Sequence, residues 1–139
     1  MKKEEYFEES LVFVNELEGY KCKFKNLHWS APNLTYHKTI DKFLDELTEF
    51  QDSLAEISQG YVGKQYAVNE IRGKNYSFNN ATQALRDLGE SVDSFEKVIT
   101  SLEGGSGIMN CVNDFQQTIL EFKYLFILAV KDGESSFIK

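Results

Sequence analysis

Four stretches of the chain place apolar side chains three and four residues apart, and this spacing favours an α-helical fold. The stretches are Glu5–Trp29, Asn33–Gly60, Ala81–Leu102 and Ser106–Ala129. Side chains three and four residues apart line one face of a helix, so each stretch predicts an amphipathic helix with one buried stripe. With 139 residues and one proline, the chain is predicted to be a single all-α domain over residues 1–139.

The predicted helices are bounded by residues that start or stop helices. Pro32 disfavours helix in the residue before it, and Asn33 is a candidate cap of the second helix. Gly104 and Gly105 are predicted to close the third helix, and Ser106 to cap the fourth. The apolar residues expected in the core are Phe7, Leu11, Val14, Leu17, Phe24, Leu27, Tyr36, Ile40, Phe43, Leu47, Phe50, Leu54, Ile57, Ala81, Leu85, Leu88, Val92, Phe95, Ile99, Leu102, Ile108, Val112, Phe115, Ile119, Phe122, Phe126 and Ala129.

In the stretch between the second and third helices the apolar residues have no regular spacing, and three glycines are present. We interpret residues 60–80 as a long crossover, with a short helix around Ala67 to Ile71. The first and third connections are short and the second is long, so the helices of the four-helix bundle are predicted to run up, down, down and up. This is the ferritin-like topology, with the crossover between helices two and three.

The charge and composition disfavour several classes of function. The net charge is −7 and the sequence contains no Lys/Arg cluster, so nucleic-acid binding is disfavoured. No apolar run reaches membrane-spanning length and the acidic start lacks a secretion signal, so we expect a cytoplasmic protein without a membrane partner. Cys22 and Cys111 have no paired spacing and are predicted to be reduced, buried thiols.

Polar side chains on the second helix suggest a metal site. His37 and Asp41 lie one helical turn apart, and so do Asp52 and Glu56. The eleven residues from Asp41 to Asp52 leave the two pairs on one face of the helix, away from its apolar stripe. Imidazole and carboxylate ligands suit iron or zinc, and a partly open, carboxylate-rich site favours iron that changes its redox state.

A single chain cannot place both pairs on one ion, because eleven residues of helix span roughly 16 Å. Two antiparallel copies of the helix, related by a two-fold axis, bring the His37 end of one chain against the Glu56 end of the other. The spacing therefore suggests two equivalent metal sites at a dimer interface. The alternative interpretation is that polar pairs four residues apart simply form an exposed helix face.

Several motifs resemble those of the Dps-type mini-ferritins. They are "KNLHW" at the end of the first helix, H-x-x-x-D at the start of the second, D-x-x-x-E later in it, and then "QGYVG" and "LEFKYLFILA". The resemblance covers most of the chain and is strongest from Lys25 to Gly60. It implies a ferroxidase centre in which one chain supplies His28, His37 and Asp41 and its partner supplies Asp52 and Glu56.

The resemblance also implies a homododecameric shell that oxidises Fe(II) and stores ferric iron. The oxidant is peroxide or dioxygen, of which the family implies peroxide. Two other hypotheses stay open. One is a structural or interaction protein that keeps the ferritin-like bundle and has lost ferroxidase activity. The other is nucleoid compaction, which requires a basic surface that this chain lacks.

Overall fold

The computed structural model describes residues 1–67 and 70–138, with the side chains of the last helix described as far as Lys131. It contains four α-helices, α1 (Lys3–Trp29), α2 (Leu34–Val62), α3 (Ala81–Thr100) and α4 (Ser106–Ile138). Strands are absent from these described residues. The prediction of an all-α protein with four helices is confirmed.

The helix ends agree with the sequence at Asn33 and differ elsewhere by a few residues. The Asn33 side chain accepts a hydrogen bond from the Tyr36 amide at 2.8 Å, and this caps α2 as predicted. The end predicted at Gly60 is wrong. The helix continues through this glycine and stops at Gly63, whose φ of 80° is the left-handed conformation that favours glycine.

The helix boundaries predicted for the connection between α3 and α4 are also shifted. The third helix ends at Thr100 rather than at Leu102. Ser106 is the first residue of α4 and not its cap, because the Gly105 carbonyl already accepts from the Met109 amide at 2.9 Å.

The core is one continuous cluster that draws on all four helices. The stripes predicted for α2, α3 and α4 are buried except Ile57 and Leu102, which are half-buried. In α1, three residues at heptad spacing are buried outside the predicted set, whereas two predicted residues are only half-buried. The first group is Tyr6, Phe13 and Tyr20, and the second is Leu11 and Leu27. The stripe predicted for α1 therefore lies partly to one side of the buried face.

Three contacts fix the directions of the first three helices. The Tyr6 hydroxyl lies 2.7 Å from the Ser58 hydroxyl, so α1 begins where α2 ends. The Ala81 amide donates to the Tyr36 hydroxyl at 3.1 Å, so α3 begins where α2 begins. The Tyr61 hydroxyl, near the end of α2, donates to the carbonyl of Glu103, just after α3, at 2.6 Å, so the two helices also end at the same place. Hence α2 and α3 run in the same direction. We call the end where α1 passes into α2 the hairpin end, and the opposite end the far end.

Residues 64–67 and 70–80 return from the far end to the hairpin end along α1. The Asn15 side chain accepts from the Arg72 amide at 2.6 Å, and the rings of Tyr20 and Tyr76 stack with centroids 4.3 Å apart. A Cβ at Gly19 would lie 2.2 Å from the Lys74 carbonyl oxygen, so this approach requires glycine.

The short helix predicted around Ala67 to Ile71 includes Val68 and Asn69, which lie outside the described residues. Ala67, Glu70 and Ile71 themselves are not helical.

Candidate metal site at the hairpin end

The two histidines of the chain meet where α1 passes into α2. Their rings stack with centroids 3.7 Å apart and an angle of 26° between the ring planes. The Nδ1 atom of His28 lies 3.2 Å from the His37 carbonyl oxygen, and Nδ1 of His37 lies 2.8 Å from the His28 carbonyl oxygen. His28 is buried with 8% of its surface exposed, whereas His37 is half-buried.

These reciprocal contacts determine which nitrogen of each imidazole ring carries the hydrogen. A carbonyl oxygen only accepts hydrogen bonds, so Nδ1 of His28 and of His37 must each carry the hydrogen. In the neutral imidazole this leaves the Nε2 lone pair for a ligand. Metal-binding histidines commonly donate their other ring N–H to a carbonyl or carboxylate, and this bond fixes the ring.

The three predicted carboxylate ligands lie on the exposed side of α2. Asp41 stands one turn after His37, while Asp52 and Glu56 lie one turn apart near the far end. All three carboxylates are exposed. The helix rises 1.5 Å per residue, so Asp41 and Asp52 are separated along the axis by roughly 16 Å.

Within one chain the structure brings together only part of the predicted ligand set. His28 contacts His37, and Asp52 and Glu56 are neighbours on α2. Among the described residues, no three side chains of the types His, Cys, Asp and Glu come close enough to hold a metal ion. Five ligands on one ion would thus require carboxylates from a second chain.

A polar network beside these carboxylates was not predicted from the sequence. The buried Gln51 amide donates to the Val14 carbonyl at 3.2 Å and to the Glu18 carboxylate at 3.1 Å. Lys21 donates to the Gln51 side-chain oxygen at 3.0 Å. The signal for this network in the sequence is Lys21, a polar residue that stands between Leu17 and Phe24 where the spacing of the first helix calls for an apolar side chain. The network holds α2 against α1 directly before Asp52.

A cleft of about 680 Å³ also opens at the hairpin end, between the α1–α2 turn and the start of α3. Its lining includes Pro32, Tyr36, Asn80 and Arg86, and neither histidine is part of it. The histidine pair is therefore separate from this cleft.

The cysteines do not extend the candidate site. Both are free; Cys22 is exposed and Cys111 is half-buried, so the prediction of burial is wrong for Cys22. Burial, with a smaller effect of the Asp114 charge, raises the pKa of the Cys111 thiol.

None of the four helices, over the described residues, is long and apolar enough to cross a membrane. The comparisons with curated proteins and with solved structures found no match. A family model matches residues 28–126, from His28 through most of α4, and its description is DUF5856, a family of unknown function. The match covers well over half of the chain, and the protein therefore belongs to the DUF5856 family.

Proposed function

We propose that the protein is a Dps-like iron-binding ferroxidase that oxidises Fe(II) at an intersubunit site and stores ferric iron in an oligomeric shell. The observation that carries the proposal is the histidine pair. Both Nδ1 atoms are held by backbone carbonyls, so both Nε2 atoms are available to a metal, with Asp41 one turn beyond His37.

The second half of the ligand set comes from another chain. The Asp52 and Glu56 pair lies roughly 16 Å along α2 from Asp41, too far for bonds of about 2 Å to one ion. Antiparallel pairing of α2 with its copy about a two-fold axis removes this separation and produces two equivalent sites.

The mixed ligands suit both oxidation states of iron. Imidazole nitrogen binds Fe(II), while carboxylate oxygen is the harder ligand and favours Fe(III). In the reaction, two Fe(II) ions each give one electron to a single peroxide molecule. The O–O bond breaks and two protons are taken up, so the products are two Fe(III) ions and two water molecules.

Two features support a ferritin-like oligomer. The bundle has α2 and α3 in the same direction with a long return between them, as a ferritin-like bundle requires. The outer face of α4 exposes Leu120, Tyr124 and Ile127 on the side opposite its core stripe. Exposed apolar patches of this kind mark subunit contacts. We propose a homododecamer containing two-fold dimers, in the cytoplasm.

An anaerobic titration tests this function directly. Fe(II) added without oxygen should bind, and peroxide should then produce the absorbance of a ferric product faster than in a protein-free control. The variant Asp52→Asn should lose this acceleration. Glu49→Gln, which removes an exposed charge on the same helix outside the ligand set, should keep it. Wild-type protein no faster than buffer would overturn the proposal.

The histidine pair also favours a second candidate, a structural or interaction protein without ferroxidase activity. The stack of His28 on His37 and the two hydrogen bonds already hold α1 to α2 with no metal. This candidate predicts an assembled protein that neither binds Fe(II) nor accelerates its oxidation.

A further inference from the structure

The cleft of about 680 Å³ at the hairpin end combines apolar and polar lining residues. The apolar side chains come from the α1–α2 hairpin and from α4, and they are Leu27, Ala31, Pro32 and Val130. The polar side chains of the crossover and of α3 are Asn79, Asn80, Thr82, Gln83 and Arg86. Clefts that bind small molecules hold about 300–1,000 Å³ and combine an apolar lining with a few polar groups. The cleft therefore has the size and the lining of a small-molecule site.

Arg86 gives the cleft a positive charge, because it is the one charged residue of the lining. Its Nε atom lies 3.9 Å from the Asp87 carboxylate, which is too long for a hydrogen bond, and Asp87 does not line the cleft. Thr82 and Arg86 stand one turn apart on the same face of α3, and helix side chains lean toward the N-terminus of their helix. The guanidinium thus leans toward the start of α3 with its donors available to a ligand.

The Tyr36 hydroxyl is a buried donor at the same place. Tyr36 lines the cleft and is only 6% exposed. Its oxygen accepts a hydrogen bond from the Ala81 amide at 3.1 Å, and among the described residues nothing accepts the hydrogen of the hydroxyl itself. A buried donor without an acceptor costs free energy, so this hydroxyl favours a ligand that brings an acceptor.

The first turn of α3 contributes little more. Its Ala81 amide is taken by Tyr36, and its Gln83 amide donates to the Asn80 side chain at 2.8 Å. An acceptor in the cleft is therefore held chiefly by side chains, the Tyr36 hydroxyl and the Arg86 guanidinium.

We propose that this cleft binds a small amphipathic anion, with an aliphatic body that ends in one carboxylate or phosphate group. The anionic group accepts hydrogen bonds from Tyr36 and Arg86, and the aliphatic body covers the apolar lining. Neither histidine lines the cleft, so this binding goes beyond the proposed ferroxidase and needs no iron.

The lining selects the charge of the ligand. A cation would be repelled by Arg86 and would find no carboxylate among the lining residues. A neutral molecule of the same shape would leave the guanidinium unpaired, and hydrogen bonds between charged groups are about twice as strong as neutral ones. The protein has a net charge of −7, so an anion is attracted by this local charge and not by the chain as a whole.

Calorimetric titration of metal-free protein, with chelator present, tests the binding. Octanoate and octyl phosphate carry one aliphatic body with two different anionic groups, octylammonium reverses the charge, and acetate lacks the body. Octanoate or octyl phosphate should bind at least about tenfold more tightly than octylammonium and acetate. The tighter of the two anions identifies the group that the cleft fits.

A charge-removing variant tests the position of the anion. Arg86→Gln should weaken octanoate binding by about tenfold and leave the binding of 1-octanol, the neutral molecule with the same body, unchanged. The matched control is Lys97→Gln, which removes an exposed positive charge from the same helix outside the cleft and should bind octanoate like wild type.

Three results would overturn the proposal: no binding of either anion, octylammonium bound as tightly as octanoate, or unchanged octanoate binding in Arg86→Gln. Iron oxidation by a protein that binds neither anion would contradict the cleft and leave the ferroxidase intact. Anion binding without iron oxidation would do the reverse.

Discussion

The His28 and His37 rings stack with centroids 3.7 Å apart, and each Nδ1 atom donates to the other residue's backbone carbonyl. This relationship joins the last turn of α1 to the first turn of α2 across the turn at residues 30–33. It orients both rings before any metal binds. A preset pair of this kind reduces the ordering that a ligand must impose on the side chains.

Removing one member of the pair should destabilise the protein. His28→Ala loses the ring stack and one hydrogen bond at a buried position, so we expect the free energy of unfolding to fall by about 1–3 kcal/mol. Urea unfolding measures the change. Trp29→Ala, at an exposed neighbouring position, should change the stability of the isolated monomer by under about 0.5 kcal/mol. Equal losses in the two variants would mean that the pair does not hold the hairpin.

A pair of glycine substitutions tests the path of the crossover along α1. Gly19→Ala would place Cβ 2.2 Å from the Lys74 carbonyl oxygen, so we expect a loss of about 1–3 kcal/mol in the free energy of unfolding. Gly60→Ala has open space within 4 Å and lies inside α2, so it should be neutral or stabilising by up to about 1 kcal/mol. The prediction fails if Gly19→Ala unfolds no more easily than Gly60→Ala.

The sequence predicted the helices well because apolar residues recur in them at regular helical spacing. The prediction failed where tertiary contacts determine which residues are buried. The stripe of α2 is buried as expected from Tyr36 to Leu54. In α1 the buried face includes Ser10, a small polar residue that donates to the Phe7 carbonyl at 2.8 Å and lies 2.8 Å from the Tyr66 hydroxyl. Hydrophobic spacing alone cannot identify a buried hydroxyl whose partner comes from a distant crossover.

The two thiols should differ in reactivity. The thiolate is the nucleophile, and Cys111 is half-buried with its pKa raised, chiefly by burial, so it should react more slowly with iodoacetamide at neutral pH than the exposed Cys22. Mass spectrometry of timed samples measures both rates. In urea the difference should disappear. Faster labelling of Cys111 in the folded protein would contradict its half-buried position on α4.

Alkaline solution should destabilise the fold through four tyrosines that are buried or half-buried. Burial raises the pKa of Tyr6, Tyr20, Tyr66 and Tyr76, for Tyr76 to about 12. The folded state thus favours the neutral phenols. Their contribution to stability is complete below about pH 10, the unfolded pKa, and each is lost as the pH rises through that phenol's raised pKa, which for Tyr76 is about 12. Thermal unfolding from about pH 8 upward measures the decline. Stability that stays constant through about pH 11, while these four tyrosines ionise near their unfolded pKa of about 10, would contradict the raised pKa values.

The candidate site was predictable only in part. The spacing of Asp52 and Glu56 identified one pair on one helix face, as an i,i+4 pattern can. The reciprocal bonds of His28 and His37 depend on how closely the α1–α2 turn folds back, and no local pattern encodes that distance. Gln51 was missed because its bonds reach α1 residues more than thirty positions away.

The most direct measurement of the shared site is complementation between two inactive variants. His37→Ala and Asp52→Ala should each lose iron oxidation and keep the fold, which circular dichroism checks. Asp52 is exposed, and His37→Ala loses the contacts of the histidine pair but removes no side chain of the apolar core. In a mixed dimer one site carries both defects and the other carries neither. Random pairing makes about half of the dimers mixed, so refolding equal amounts together should restore roughly a quarter of the wild-type oxidation rate. An inactive mixture that contains confirmed heterodimers would contradict a site shared between chains.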